Sequence, residues 1–246
     1  MKGTRRITTI SFDGDATLWD FEKLMRHSLS FTLDELRRRA PGRASLDLTI
    51  DKMIEIRNTV ANELKGKTVN LEEIRFQAFK RTVESIGCCS DILAADLNAL
   101  YLKHRFEDLE LYPDVIPTLD TLRSKFSLGL LSNGNSYPER CGLQGRFGFV
   151  VFSQDVGVEK PDPRIFSAAC SQAGCRPHDL MHVGDSLESD VAGANASGAV
   201  SVWLNRNGVE NTSTVQPDHE IRRLTELVDI AERYRNASNK LGARKL

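Results

Sequence analysis

From about residue 110 onward, short apolar runs alternate with helix-like segments, and few folds accommodate that alternation. Leu128–Leu131, Phe149–Phe152, Leu180–Val183 and Ala199–Leu204 are rich in Val, Leu and Phe. Each reads as a buried strand. Helical patterns lie between them near 114–124, 163–173 and 189–197. Pro113-Asp114, Pro161-Asp162-Pro163 and Ser189-Asp190 supply N-terminal punctuation for these helices. Strand–helix–strand repeats at this spacing imply right-handed crossovers and a mostly parallel sheet. Ile7–Phe12 adds one more strand, far from the others in sequence.

Between Asp20 and about Tyr112 the pattern is helical throughout. Leu71, Ile74, Ala78, Phe79, Val83 and Ile86 recur at helical spacing, and Gly87 follows as a stop. Residues 22–40, 47–64 and 90–106 also read as helices, divided by Pro41-Gly42 and Gly66. Some ninety residues of helix thus separate the first strand from the second. The economical reading is a helical domain, 21–109, inserted into an α/β core made of 1–20 and 110–235. The last stretch, 236–246, is polar and basic without an apolar face, and reads as a flexible tail.

Composition removes several classes of partner. The chain has 33 Lys and Arg against 34 Asp and Glu, a net charge of −1, so no global field attracts nucleic acid or an anionic membrane. Nothing approaches 18 consecutive apolar residues. Lys2, Arg5 and Arg6 precede an apolar run that stops at Asp13 after six residues, which is no secretory leader. A cytoplasmic protein is expected, with its five cysteines (Cys88, Cys89, Cys141, Cys170, Cys175) as reduced thiols.

Ligands of open parallel sheets bind beyond the carboxyl ends of the strands. The residues that follow each strand are therefore informative. After Ile7–Phe12 comes Asp13-Gly14-Asp15-Ala16-Thr17, and after Leu128–Leu131 comes Ser132-Asn133-Gly134-Asn135. The loop after Phe149–Phe152 leads to Lys160-Pro161, and Leu180–Val183 runs into Gly184-Asp185, with Asp190 five residues on. Such a set suits phosphoryl transfer. Carboxylates at 13 and 185 suit a hard cation such as Mg²⁺. An aspartate can act as nucleophile, splitting the reaction into two easier steps. Ser132 and the backbone N–H groups beside Asn133 and Gly134 can hold the transferring oxygens, and Lys160 adds positive charge where the transition state spreads negative charge.

These residues resemble the four ordered motifs of the haloacid-dehalogenase-like hydrolase superfamily: Asp13-x-Asp15-x-Thr17, Ser132-Asn133-Gly134, Lys160-Pro161 and Gly184-Asp185-x4-Asp190. The match covers about 7–20 and 110–208, and the helical insert falls where that superfamily places its C1 cap. The resemblance implies a Rossmann-like α/β core with an inserted all-helical cap domain. It implies Asp13 as nucleophile and Asp15 as the acid/base. Mg²⁺ would be held by Asp13, the Asp15 backbone carbonyl and Asp185, with Asp190 outside the direct ligands and Thr17 supporting the turn. Ser132, Asn133 and Lys160 would bind phosphate. True dehalogenases of the superfamily lack the second aspartate, so Asp15 points to hydrolysis of a small phosphomonoester (a nucleotide, flavin or sugar phosphate). A phosphomutase, a phosphonatase and a non-catalytic phosphometabolite-binding protein remain alternatives, and oligomeric state is unreadable.

The remaining polar residues are assigned ordinary roles. The histidines (His27, His104, His178, His182, His219) are scattered in sequence and read as surface or core, His182 as a satisfied core residue. Trp19 and Phe21 read as packing where the insert begins.

Overall fold

The computed structural model describes residues 5–242. It divides into two compact units: the described residues up to Asp20 with those from Leu111 onward, and Phe21–Glu110.

The first unit is built on a six-stranded, wholly parallel sheet in the order β3-β2-β1-β4-β5-β6. The strands are β1 (Thr9–Phe12), β2 (Ser127–Ser132), β3 (Phe149–Phe152), β4 (Leu180–Gly184), β5 (Val200–Leu204) and β6 (His219–Ile221). Every residue of β1, β4 and β5 is buried, as expected for strands covered on both faces. The five strands expected from the apolar runs are all present. Three-residue β6 was not anticipated, because it is too short to show a period.

The order of the strands positions the site. β2 and β3 lie on one side of β1, whereas β4, β5 and β6 lie on the other. The chain therefore switches direction at β1, where ligands of such sheets collect. Phe12 is level with Leu130 on one side and Val183 on the other. Asp13 thus leaves the sheet beside Gly184, the last residue of β4, while β2 runs on to Ser132 alongside β3.

Helices of this unit follow the expected punctuation except at two starts: Asp114, and Ser189-Asp190, where Ser186 is the residue that caps, accepting from the Ser189 N–H at 3.1 Å. In α8 (Pro163–Ala173), Asp162 caps the N-terminus by accepting from the Arg164 N–H at 2.9 Å, and Pro163 opens the helix. Its Ile165, Phe166 and Ala169 pack with Leu131, Val151 and Leu180; burying each large apolar side chain is worth about 1.5–3 kcal/mol. Asp114 also stands at a helix start, that of α6 (Val115–Leu122), but its side chain does not cap. Its two oxygens accept from Arg206, both at 3.0 Å, and from the Leu224 N–H at 2.8 Å. A fixed guanidinium fork competes better for a carboxylate than one helix N–H does. Two further helices, α7 (Ser153–Val156) and α9 (Ala192–Ser197), flank these elements, and α10 (Leu227–Gly242) closes the chain. The stretch read as a tail from Asn236 continues α10 to Gly242, since extending a nucleated helix costs little per residue; residues 243–246 lie outside the described residues.

The second unit is helical throughout: α1 (Phe21–Arg39), α2 (Arg43–Asp47), α3 (Ile50–Leu64), α4 (Leu71–Ser85) and α5 (Asp91–Glu107). Its core holds Leu29, Leu33, Leu36, Phe79, Leu93, Leu97 and Tyr101. Thr49, Asn70 and Ser90 cap α3, α4 and α5, each side chain accepting from a helix N–H. The helix expected over 47–64 is α3, which starts at Ile50 rather than at residue 47, and the short α2 ahead of it was unexpected. Arg37 accounts for the later start: its guanidinium donates to the carbonyls of Ser45, Leu46 and Leu48 at 3.2, 3.3 and 2.9 Å. Those carbonyls have a partner outside a helix ladder, and the chain restarts at the Thr49 cap.

No helix among the described residues is long and apolar enough to cross a membrane.

Candidate active site

Asp13 follows β1, and its N–H still donates to the Val183 carbonyl at 2.9 Å. The carboxylate thus leaves the sheet beside the end of β4. The chain then turns back on itself: the Thr17 and Leu18 N–H groups donate to the Gly14 carbonyl, and Ala16 N–H donates to the Trp19 carbonyl. Ala16 pays for this turn with φ of +60°, a left-handed conformation uncommon outside glycine. The turn brings the Asp15 carboxylate under the indole of Trp19, whose N–H donates to Oδ1 at 2.8 Å. Thr17 supports the turn through its main chain, its carbonyl accepting from Arg206 at 3.0 Å; its hydroxyl has no hydrogen-bond partner among the described residues.

Opposite this turn, Ser132 ends β2 and its Oγ accepts from the Gly134 N–H at 3.0 Å. A Cβ on Gly134 would stand 3.1 Å from Asp15 Oδ2 and 3.2 Å from Ser132 Oγ. Glycine therefore keeps open the space these two groups face. Asn133 takes a role the sequence did not suggest. Its Oδ1 accepts from the Lys160 N–H at 2.7 Å and its Nδ2 donates to the Lys160 carbonyl at 3.2 Å. The side chain expected to bind phosphate is occupied in holding the Lys160 backbone.

Lys160 is 4% exposed and all three ammonium protons have acceptors: Asp13 Oδ1 and Asp190 Oδ1, each at 2.6 Å, and the Leu131 carbonyl at 3.0 Å. Burial alone would lower its pKa, but the two carboxylates override this and raise it, keeping the ammonium charged. Asp190 lies in a single π-type turn, Leu187–Val191, ahead of α9. Its Oδ1 also accepts from His182 Nε2 at 3.0 Å, and its Oδ2 accepts from the Ser186 N–H at 3.0 Å. Burial opposes ionisation of Asp190, yet Lys160 and His182 hold its pKa below the usual carboxylate range. A Cβ on Gly184 would fall 2.1 Å from Asp190 Cγ, so only glycine lets β4 pass this carboxylate.

Behind Asp190 stands His182, 1% exposed. Because an ionised carboxylate only accepts, His182 Nε2 carries the proton in this pair. Nδ1 is then the acceptor for the Ser11 hydroxyl at 2.8 Å. Burial lowers the pKa of the imidazole, so it stays neutral. A chain of contacts thus runs from Ser11 through His182, Asp190 and Lys160 to Asp13. We expect His182→Gln to lower turnover by about 10–100-fold, the usual cost of losing a group that orients a site residue. Steady-state kinetics would check this; a wild-type rate would mean Asp190 holds its place without the imidazole.

Two carboxylates therefore share one ammonium, and a third, Asp185, lies beside them. Oxygens of Asp13, Asp185 and Asp190 lie within 4.8 Å of one another. Burial pushes Asp13 up to about 7 against the pull of Lys160, with Asp190 and Asp185 adding repulsion. Burial, followed by Asp190, pushes Asp185 up to about 6. The Asp185 carbonyl is fixed by the Trp203 indole N–H at 2.8 Å. The cluster carries more negative charge than Lys160 neutralises, and its free donors are oxygens. That fits a hard divalent cation.

All eight residues selected from the sequence lie at this edge of the sheet or in its first turns. Ser11, Trp19 and His182 also contribute through hydrogen bonds; the sequence placed Ser11 and His182 in strands and read Trp19 as packing, with no signal for those bonds.

Residues 7–198 match the family model for haloacid dehalogenase-like hydrolases. Glyceraldehyde 3-phosphate phosphatase of Methanopyrus kandleri is 32% identical over 91% of this chain and 97% of its own. Human N-acylneuraminate-9-phosphatase is 30% identical over 92% of this chain and 94% of its own. A crystal structure of 2-haloacid dehalogenase from Pseudomonas syringae pv. Tomato superposes with a TM-score of 0.80 at 30% identity, covering 93% of this chain and 99% of that one. With its motif residues gathered at one sheet edge and its match spanning most of the chain, this protein belongs to the haloacid dehalogenase-like hydrolase family.

Proposed function

We propose that the protein is a Mg²⁺-dependent phosphatase that hydrolyses a small phosphomonoester through an aspartyl-phosphate on Asp13. The observation that carries this reading is the pairing of two carboxylates of different environment. Asp13 is buried among charges beside Lys160, while Asp15 is held by Trp19 with Oδ2 facing Gly134. A halide leaving group needs no proton, so a positioned second carboxylate favours an ester oxygen as the leaving group. The two phosphatase relatives support the same choice of substrate class.

In the first step the Asp13 oxygen forms a bond to phosphorus as the ester P–O bond breaks, and Asp15 gives its proton to the departing alcohol. In the second, water attacks phosphorus, Asp15 takes its proton, and the Asp13–phosphorus bond breaks, releasing inorganic phosphate. Ser132 and the main chain of the 133–134 turn hold the equatorial oxygens, and Lys160 offsets the charge they gather. Asp13, the Asp15 carbonyl and Asp185 would hold the cation, with Asp190 fixed behind them. When bound, the cation screens the repulsion between the carboxylate nucleophile and the phosphate. The helical unit Phe21–Glu110 is proposed as a C1-type cap that selects the rest of the substrate.

A screen of phosphorylated metabolites for phosphate release tests this reading. At least one phosphomonoester should turn over, chelation should eliminate the activity, and added Mg²⁺ should restore it. Turnover that survives chelation, or release only from phosphonates, would overturn it.

A further inference from the structure

Within the helical unit, α1 and α5 bring together three side chains that are scattered in the sequence. Asp108 Oδ2, at the C-terminal end of α5, meets His27 Nε2 at 3.0 Å and His104 Nδ1 at 2.8 Å. His104 and Asp108 are one helical turn apart on α5, and His27 reaches them from α1. We propose that His27, His104 and Asp108 form a transition-metal site for a borderline divalent cation such as Zn²⁺, distinct from the carboxylate cluster of the sheet.

The donor set decides the class of ion. Two imidazole nitrogens and one carboxylate oxygen suit Zn²⁺, Ni²⁺, Co²⁺ or Cu²⁺, whereas Mg²⁺ takes oxygen donors and keeps its waters. The distances are close to what such an ion requires. Ligand bonds of about 2.0–2.1 Å place tetrahedral donors roughly 3.4 Å apart. Here all three donor atoms lie within 4.8 Å of one another, so small side-chain rotations suffice. On binding, each neutral imidazole carries its proton on the ring nitrogen away from the ion, and an imidazolium releases one proton to solvent.

The rings are also oriented by packing. Phe31 stacks on His104 at 3.8 Å and 5°, and it meets His27 edge-on at 5.0 Å and 84°. Both imidazoles are therefore held toward Asp108 without an ion. The side chains of His104, His27 and Asp108 are 17%, 47% and 36% exposed, so an ion enters from solvent and keeps a position for water. Joining α1 to α5, the bound ion would clamp the helical unit.

Calorimetric titration of the full chain with ZnCl₂ tests this, after stripping with chelator and resupply of excess Mg²⁺ to fill the oxygen site. One saturable Zn²⁺ site is expected in the wild type and in Asp185→Asn, with a rise in melting temperature. Co²⁺ should give visible d–d bands. The His27→Gln/His104→Gln variant should lose saturable uptake, the thermal shift and the bands. His27→Gln alone, at the most exposed ligand, gives the same comparison should the double variant fold poorly. Absence of saturable uptake in excess Mg²⁺ would overturn the proposal. So would uptake that survives the histidine exchanges or disappears in Asp185→Asn.

Discussion

Asp13→Asn should lower phosphomonoester turnover by on the order of 10⁴-fold or more, while the protein still folds and melts close to the wild type. The exchange is nearly isosteric and removes the nucleophilic charge alone. Nothing that builds the turn depends on that charge: the Asp13 N–H still reaches the Val183 carbonyl, and Lys160 keeps Asp190 and the Leu131 carbonyl. Burial and like-charge neighbours already push the Asp13 carboxyl up to about 7, so a neutral amide relieves repulsion there. Phosphate release and a denaturant midpoint measured on one preparation would check both halves. A variant within tenfold of the wild type would remove Asp13 from the chemistry.

Lys160→Met should give the largest loss of stability of any single exchange at the site. Removing one partner of a buried ion pair costs about 3–5 kcal/mol, because the remaining charge stays buried and uncompensated. Here two carboxylates, Asp13 and Asp190, lose their cation together, and the Leu131 carbonyl loses a donor. Activity should fall with stability, since the positive charge facing the phosphate oxygens is gone. The penalty should also depend on pH with a definite sign. Without Lys160 the folded-state pKa of Asp13 moves further above its unfolded value, and Asp190 loses part of the pull that holds it below the usual carboxylate range. The folded state then binds more protons than the unfolded state, so stability declines as pH rises through that range. Urea titrations at acidic and mildly alkaline pH would show the larger deficit at the higher pH. An unchanged midpoint at both would mean the carboxylates do not depend on Lys160.

Much of the architecture was legible because it follows from short-range physics. A strand buried on both faces is close to continuously apolar, so Phe149–Phe152 and Leu128–Leu131 mark themselves. A helix must dispose of its unpaired end groups, so Asp162-Pro163 announces α8. Position also disclosed chemistry, since a parallel sheet collects its ligands at one edge and four strand ends carried the motif residues. Where a long-range partner outbid the local one, the reading failed. Asp114 caps nothing because Arg206, 92 residues away, takes its carboxylate. The helix expected from residue 47 starts only at Ile50 because Arg37 supplies a donor to the Leu48 carbonyl.

The class of fold, the strands, most of the helices and the residues that reach the sheet edge follow from the order of the amino acids. Each of these depends on periodicity or on neighbours a few positions away. Only the tertiary structure decided what those residues do to one another. It assigned the side chain of Asn133 to the Lys160 backbone, placed His182 behind Asp190, and joined Lys160 to Asp13 across 147 positions. It also gathered His27, His104 and Asp108 from two helices onto one oxygen. The reason is physical: a side chain's hydrogen bonds and ionisation depend on what is buried beside it, and burial is a property of the packed chain.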